Sequence, residues 1–198
     1  MMLREETTVQ PGDLPVAQLR AHLRLGTGFG EETVQVPVLE GFLRAAMGAI
    51  EGRISKCLIT RDFTLVLSQW SNTTAHPLPT APVLTISDVI LVDGNDNRTP
   101  LASSAWRLIA DTHEPKIAPR AASLPSIPKG GAVEISFRAG YGAWGDLPAD
   151  LQQAVLLLAA HYYENRNEMH LGQGCMPFGV TALLERYRVV RMTLGASQ

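Results

Sequence analysis

The sequence predicts an α+β fold: a helical bundle built from N- and C-terminal helices, with a central antiparallel β-hairpin and small sheet region. Three observations lead there. Eight of the thirteen prolines lie between Pro77 and Pro128, where they would break any long helix. Apolar residues recur at helical spacing on either side of that stretch, through Leu39 to Ile54 and through Leu151 to Tyr162. Between those helices, β-branched and aromatic residues alternate in short runs bounded by turn residues. With 198 residues, 45% of them hydrophobic, the chain is expected to form a single domain over 1–198 with a core that needs no disulfide staples.

The elements follow in order. Asp13 caps a first short helix with Pro15 in its opening turn, and Val16, Leu19 and Leu23 share a face, giving a helix over 13–25. The glycine-rich GTGFG at 26–30 interrupts it. A second helix, 33–55, starts with Pro37 in its first turn and carries the stripe Leu39, Phe42, Ala46, Ile50 and Ile54. Gly41, Gly48 and Gly52 weaken it, by up to about 1 kcal/mol each relative to alanine, and would permit a close helix neighbour. The β-rich middle, 63–139, opens with Phe63 to Trp70. It continues with VLTISDVILV, the Asp93-Gly94-Asn95-Asp96-Asn97 turn and a return strand through Leu101, which together read as a hairpin. Trp106 to Ala110 and Ala132 to Ala139 are further strands, and 111–131, with its prolines, reads as an extended loop. Pro148 opens a helix over 148–168 that is apolar on nearly every side, since Leu151, Val155, Leu158 and Tyr162 make one stripe while Leu156, Leu157 and Tyr163 lie elsewhere. Such a helix must be buried on more than one side, so Leu156, Leu157 and Tyr163 are candidate contacts with a neighbouring subunit. A last helix spans 180–192.

Charge and cysteine usage narrow the function. A net charge of −2, with only 18% charged residues, offers no general attraction for nucleic acid. Two cysteines, Cys57 and Cys175, fit a reducing compartment, and the longest apolar run, Ala154 to Ala160, is far too short for a membrane helix. MMLREETT lacks the basic and apolar regions of a secretory signal, so the chain is expected to stay in the cytoplasm where it is made.

The search for chemistry yields little. GTGFG fits neither the phosphate-cradling nor the dinucleotide-binding glycine pattern and reads as a loop. His161, Glu164 and Glu168 could share a helix face and hold a metal ion for a small hydrolase, but zinc sites draw on three or four well-spaced ligands, and a polar helix end explains the trio more simply. Asp93, Asn95 and Asp96 lack the twelve-residue calcium-loop pattern. Arg186, Arg188 and Arg191 form either a solvated helix face or an arginine-bearing interface. No cofactor is expected.

Several segments together resemble one family. LPVAQLRAHLRL (14–25), LEGFLRAAMGAIEGRISKCLITRDFTL (39–65), LPTAPVLTISDVILVDGNDN (78–97), VEISFRAGYGAWGDLPADLQQAVLLLAAHYYENRNE (133–168) and PFGVTALLERYR (177–188) stand in an order similar to that of head–tail connector, or adaptor, proteins of long-tailed phages and gene transfer agents. The most specific element is the succession Ala139-Gly140-Tyr141, Pro148 and Tyr163-Glu164-Asn165-Arg166. The chain departs from the pattern in its glycine-rich 26–30 loop, often acidic in such proteins, and in the length of 111–131. The resemblance implies a structural protein without catalysis, about a dozen copies of which form a ring beneath the portal of a DNA-filled capsid. Such a ring extends the channel, lets double-stranded DNA pass without sequence-specific binding, and gives the stopper or tail a platform. It further implies that the C-terminal helix docks on the portal, through Leu183, Leu184, Tyr187, Arg188 and Arg191.

Overall fold

The computed structural model describes residues 1–25, 32–166 and 176–188. Among them, strand β1 (Met2–Glu5) precedes helices α1 (Val16–His22) and α2 (Glu32–Ile54). Strands β2 (Arg61–Leu67), β3 (His76–Pro77), β4 (Val83–Val92), β5 (Arg98–Pro100), β6 (Trp106–Ile109), β7 (Lys116–Pro119) and β8 (Ala132–Ala139) follow, then helices α3 (Ala149–Glu164) and α4 (Phe178–Leu184). The class is α+β. The β part exceeds a hairpin with a small sheet: one antiparallel sheet has five strands in the order β1-β2-β8-β4-β5, and a second has three, β3-β7-β6. No helix among the described residues is long and apolar enough to cross a membrane.

Three strands escape the sequence reading: the two-residue β3, too short to carry a pattern, and β1 and β7, each for a physical reason. β1 has no alternating pattern, all four of its residues are exposed, and it exists because Met2 to Glu5 find register against Val66 to Phe63 of β2. β7 corrects the expectation of a loop over 111–131. Its Pro119 faces Trp106 of β6, and the Arg120 N–H to Ala105 carbonyl bond one step further on makes Trp106/Pro119 a pair without ladder hydrogen bonds. A proline there forfeits no donor to β6. The rest of the stretch is pinned as well: Leu124 is buried and donates its N–H to the Thr73 carbonyl, and the Trp70 indole donates to the Pro125 carbonyl at 2.9 Å. Pro37 also differs from expectation, since α2 reaches back to Glu32 and holds the proline inside the helix.

Helices and sheets bury separate cores. In the helical core, α2 contributes Leu39, Leu43, Ala46, Met47, Ile50 and Ile54, packed along α3, with α4 on α3 and α1 against both. Gly41, Gly48 and Gly52 lie off this stripe: a Cβ at any of them would meet nothing within 4 Å, so no close approach within the chain depends on them. The second core forms under alternating side chains of β2 and β8, where Phe63 stacks on Phe137 at 5.6 Å, and receives Val83, Val89, Trp106 and Ile117 from the other strands.

The two cores meet where the segment after α2 crosses the end of β8. Tyr141 N–H donates to the Leu58 carbonyl and Thr60 N–H to the Gly142 carbonyl. Gly140 has φ +135°, and a Cβ on it would sit 2.5 Å from the Thr60 Cα, so only glycine fits. The Glu51 carboxylate, on α2, accepts from Leu58 N–H at 2.8 Å and from the Arg61 guanidinium at 2.5 Å, and Arg61 also reaches Glu5 of β1 at 3.0 Å. Arg61 further donates to Cys57 Sγ at 3.2 Å, yet burial prevails and pushes that thiol up to about 12. Beside this crossing, the buried Lys56 ammonium donates to the Thr112 carbonyl and ties down the turn before β7; burial lowers its pKa, against the pull of Asp111.

Two predictions follow from this packing. Gly140→Ala combines left-handed strain with a backbone clash and should lower unfolding free energy by about 2 kcal/mol or more, measured by denaturant titration. His76 is buried, accepts from Ser71 N–H and approaches Ser71 Oγ through Nδ1, and burial lowers its pKa from 6.5. Its folded form therefore binds fewer protons than the unfolded chain, so its stabilisation is complete above about pH 6.5 and is lost as pH falls through the lower folded value. The thermal midpoint should drop on acidification below about pH 6.5, less steeply in His76→Gln; an equal slope in both would contradict this.

Candidate interaction surfaces

Pro177 starts α4, and the chain then tightens into a 3-10 turn over Glu185–Tyr187. Two of the five residues implied as docking anchors are core residues of the subunit: Leu184 is fully buried and Tyr187 nearly so, both in the helical core. The Tyr187 hydroxyl donates to Asp150 Oδ1 at 2.6 Å, Arg186 pairs with Asp150 Oδ2 at 2.8 Å, and its guanidinium lies 4.8 Å above the Tyr187 ring. Asp150 stands in the first turn of α3, where a carboxylate is favoured by the helix dipole. This cluster clamps the 3-10 turn over Glu185–Tyr187 onto α3. Tyr141 lies close by; burial above all, then Tyr187 and Asp150, pushes its pKa up to about 12.

Leu183 and Arg188 remain open to a partner. Leu183 is half-buried, and Arg188 is exposed and paired with Glu185 at 3.2 Å. Arg188 borders a polar recess of about 320 Å³ shared with Arg53, Ser55, Pro77, His113 and Glu114. Arg191 lies outside the described residues, as do Glu168 and the GTGFG loop at 26–30.

On α3, the apolar circumference that suggested a neighbouring subunit is covered largely within the chain, by α2, α4 and α1. Leu156, Leu157 and Tyr163 are half-buried, and the structure brings them together along one helix with the Tyr163 ring edge-on to Phe42 at 5.9 Å and under the Arg166 guanidinium at 4.8 Å. Of the hydrolase trio, His161 Nδ1 lies 2.9 Å from the Asn165 amide and Glu164 is exposed, while Glu168 lies outside the described residues, among which no group of three potential metal ligands occurs. Asp93 instead closes its turn by accepting from Asn95 and Asn97.

Sequence reasoning missed the most exposed large apolar side chain among the described residues, Phe178 at 88%, and the exposed edge strand β1. Phe178 lies within a matching block but carries no periodic signal of its own. The exposure of both is a product of packing elsewhere.

No family model matches the chain, and no curated protein does. Solved structures do. The chain is similar to one described as the neck of an empty GTA particle computed with C6 symmetry, at 50% identity and TM-score 0.90, over 98% of this chain and 99% of the other. It is similar to another from the neck of a native GTA particle computed with C12 symmetry, at 47% identity and TM-score 0.83, with the same coverage. A third, from the virion of a native gene transfer agent particle, matches at 50% identity and TM-score 0.86, over 98% of this chain and 99% of that one. At this identity, sustained from end to end, the chain belongs to the head–tail connector proteins found in the neck of gene transfer agent particles.

Proposed function

We propose that residues 1–198 act as one structural connector unit, about a dozen copies of which close a ring beneath the portal of a phage or gene-transfer-agent capsid. The ring extends the DNA channel and gives the stopper or tail its platform. The observation that carries this reading is the 47% identity over 98% of the chain to a subunit of a neck computed with C12 symmetry. The near-neutral charge supports passage of double-stranded DNA without tight binding, because phosphate neutralisation supplies most nonspecific affinity. The subunit is made in the bacterial cytoplasm and ends at the head–tail junction of the particle. No observation favours the metal-dependent hydrolase.

Burial divides the five docking residues. Leu184 and Tyr187 hold the C-terminal segment on α3, and Leu183, Arg188 and Arg191 meet the portal. Leu183→Asp should leave the isolated subunit folded, by circular dichroism, and abolish its pull-down with a portal ring; an unchanged pull-down would contradict the docking surface. Leu184→Asp should instead lower the subunit's own stability by about 3 kcal/mol or more, since it buries an unpaired charge. Arg188→Glu should weaken portal binding several-fold at low salt, with the difference shrinking as salt rises, because exposed charges are screened over ~10 Å at 0.1 M. Binding indifferent to both charge and salt would remove the electrostatic contribution.

A further inference from the structure

The two sheets have four outer edges, and they differ in how they are guarded. β5 is three residues ending in Pro100, and β3 is two residues including Pro77. The stretch of β4 beyond β5 is interrupted by two register shifts, at Val83/Thr85 and Ile86/Asp88. Prolines, short strands and bulges are the ordinary devices against edge-to-edge pairing. β1 and β6 have neither proline nor bulge: each is four residues long and paired in unbroken register on one side only. They also carry exposed apolar side chains, Met2 at 52%, Leu3 at 39% and Ile109 at 37%.

The ladder geometry shows which backbone groups are open. Glu6 N–H donates to the Asp62 carbonyl, so hydrogen-bonded pairs fall at Arg4 and Met2, and the N–H and C=O groups of Leu3 and Glu5 face away from β2. On β6, the Arg120 N–H to Ala105 carbonyl bond sets the alternation, so Trp106 and Leu108 face outward. The Trp106 carbonyl is taken by Arg120 Nε at 3.0 Å, while Leu108 keeps both groups open. The charges at the two edges differ. Glu5 and Glu6 follow each other at the end of β1, where they pair with Arg61 and Arg4, and β6 offers Arg107, exposed and without a partner among the described residues. The two edges also lie apart, because residues 101–105 tether β6 to β5, the far edge of the five-stranded sheet, four strand spacings of ~4.8 Å from β1.

We propose that neighbouring copies in the ring join by strand addition, β1 of one copy pairing with the outer edge of β6 of the next. A ring closed by rotation needs two different, mutually complementary surfaces on each subunit, and these edges supply them. The inference rests on the ring reading above and deepens it.

Leu3→Pro removes an outward N–H without touching the β1–β2 ladder, whereas Leu3→Thr keeps it. Particles produced with each variant are scored for neck rings by electron microscopy, and the purified chains are checked for unchanged thermal unfolding. Leu3→Pro should reduce ring-bearing particles by about tenfold, with Leu3→Thr near the parent level. In parallel, Met2→Cys with Ile109→Cys, which share a face of the antiparallel pair, on a Cys175→Ser background, is treated in particles with a bismaleimide spanning the ~8 Å between cross-strand neighbours. A ladder of covalent multimers is expected from the pair, and none from either cysteine alone. Full rings in Leu3→Pro, or rings without a ladder, overturn the strand addition while leaving the ring intact. A parent chain that forms no ring in particles overturns the ring reading, and the strand addition with it.

Discussion

Everything in this subunit depends on the crossing of residues 55–61 with 139–142. The helical core and the β core share no continuous layer. They are held in one geometry by backbone bonds at Leu58 and Thr60, by the absence of a side chain at Gly140, and by the Glu51–Arg61–Glu5 network spanning α2, β2 and β1. A half-buried ion pair of this kind is a weak source of net stability, because desolvation offsets much of the Coulomb attraction. Its contribution is positional. With Arg61 fixed on Glu51, β2 leaves α2 in one direction, and β1 is drawn onto β2 by the same guanidinium.

That geometry is suited to assembly. α4 and the final 3-10 turn are clamped on α3 through Tyr187, Arg186 and Asp150, so the surface around Leu183 and Arg188 is presented on a rigid base. The low fraction of charged residues, 18%, first looks like a featureless surface. In the fold it corresponds to apolar side chains at defined places: Phe178 at the start of α4, Met2 and Leu3 on one sheet edge, Ile109 on another. Surfaces of this kind on a structural subunit are suited to contacts with other chains.

The helices and long strands were legible because local pattern and tertiary environment agree there. The α2 stripe falls into the helical core, and the alternation of β8 buries Val133, Ile135, Phe137 and Ala139. β1 and β7 were illegible for the opposite reason. Met2 to Glu5 carry no period and become a strand only by pairing, while Pro115 and Pro119 hid a strand that starts after the first proline and holds the second at a silent position of the ladder. Family membership was readable from the order of motifs, and Gly140 within the Ala-Gly-Tyr block has a steric cause. The two C-terminal leucines were not readable singly: Leu183 and Leu184 are neighbours of the same type, and only packing buries one fully and leaves the other half-buried.

The most direct test of the account is an electron-microscopic reconstruction of the particle neck computed without imposed symmetry, with the chain identified by its own side-chain density. The account predicts twelve copies around the channel axis, as expected from the relative in a neck computed with C12 symmetry. A neck that lacks the chain, or holds it as isolated copies that do not touch one another, would contradict it.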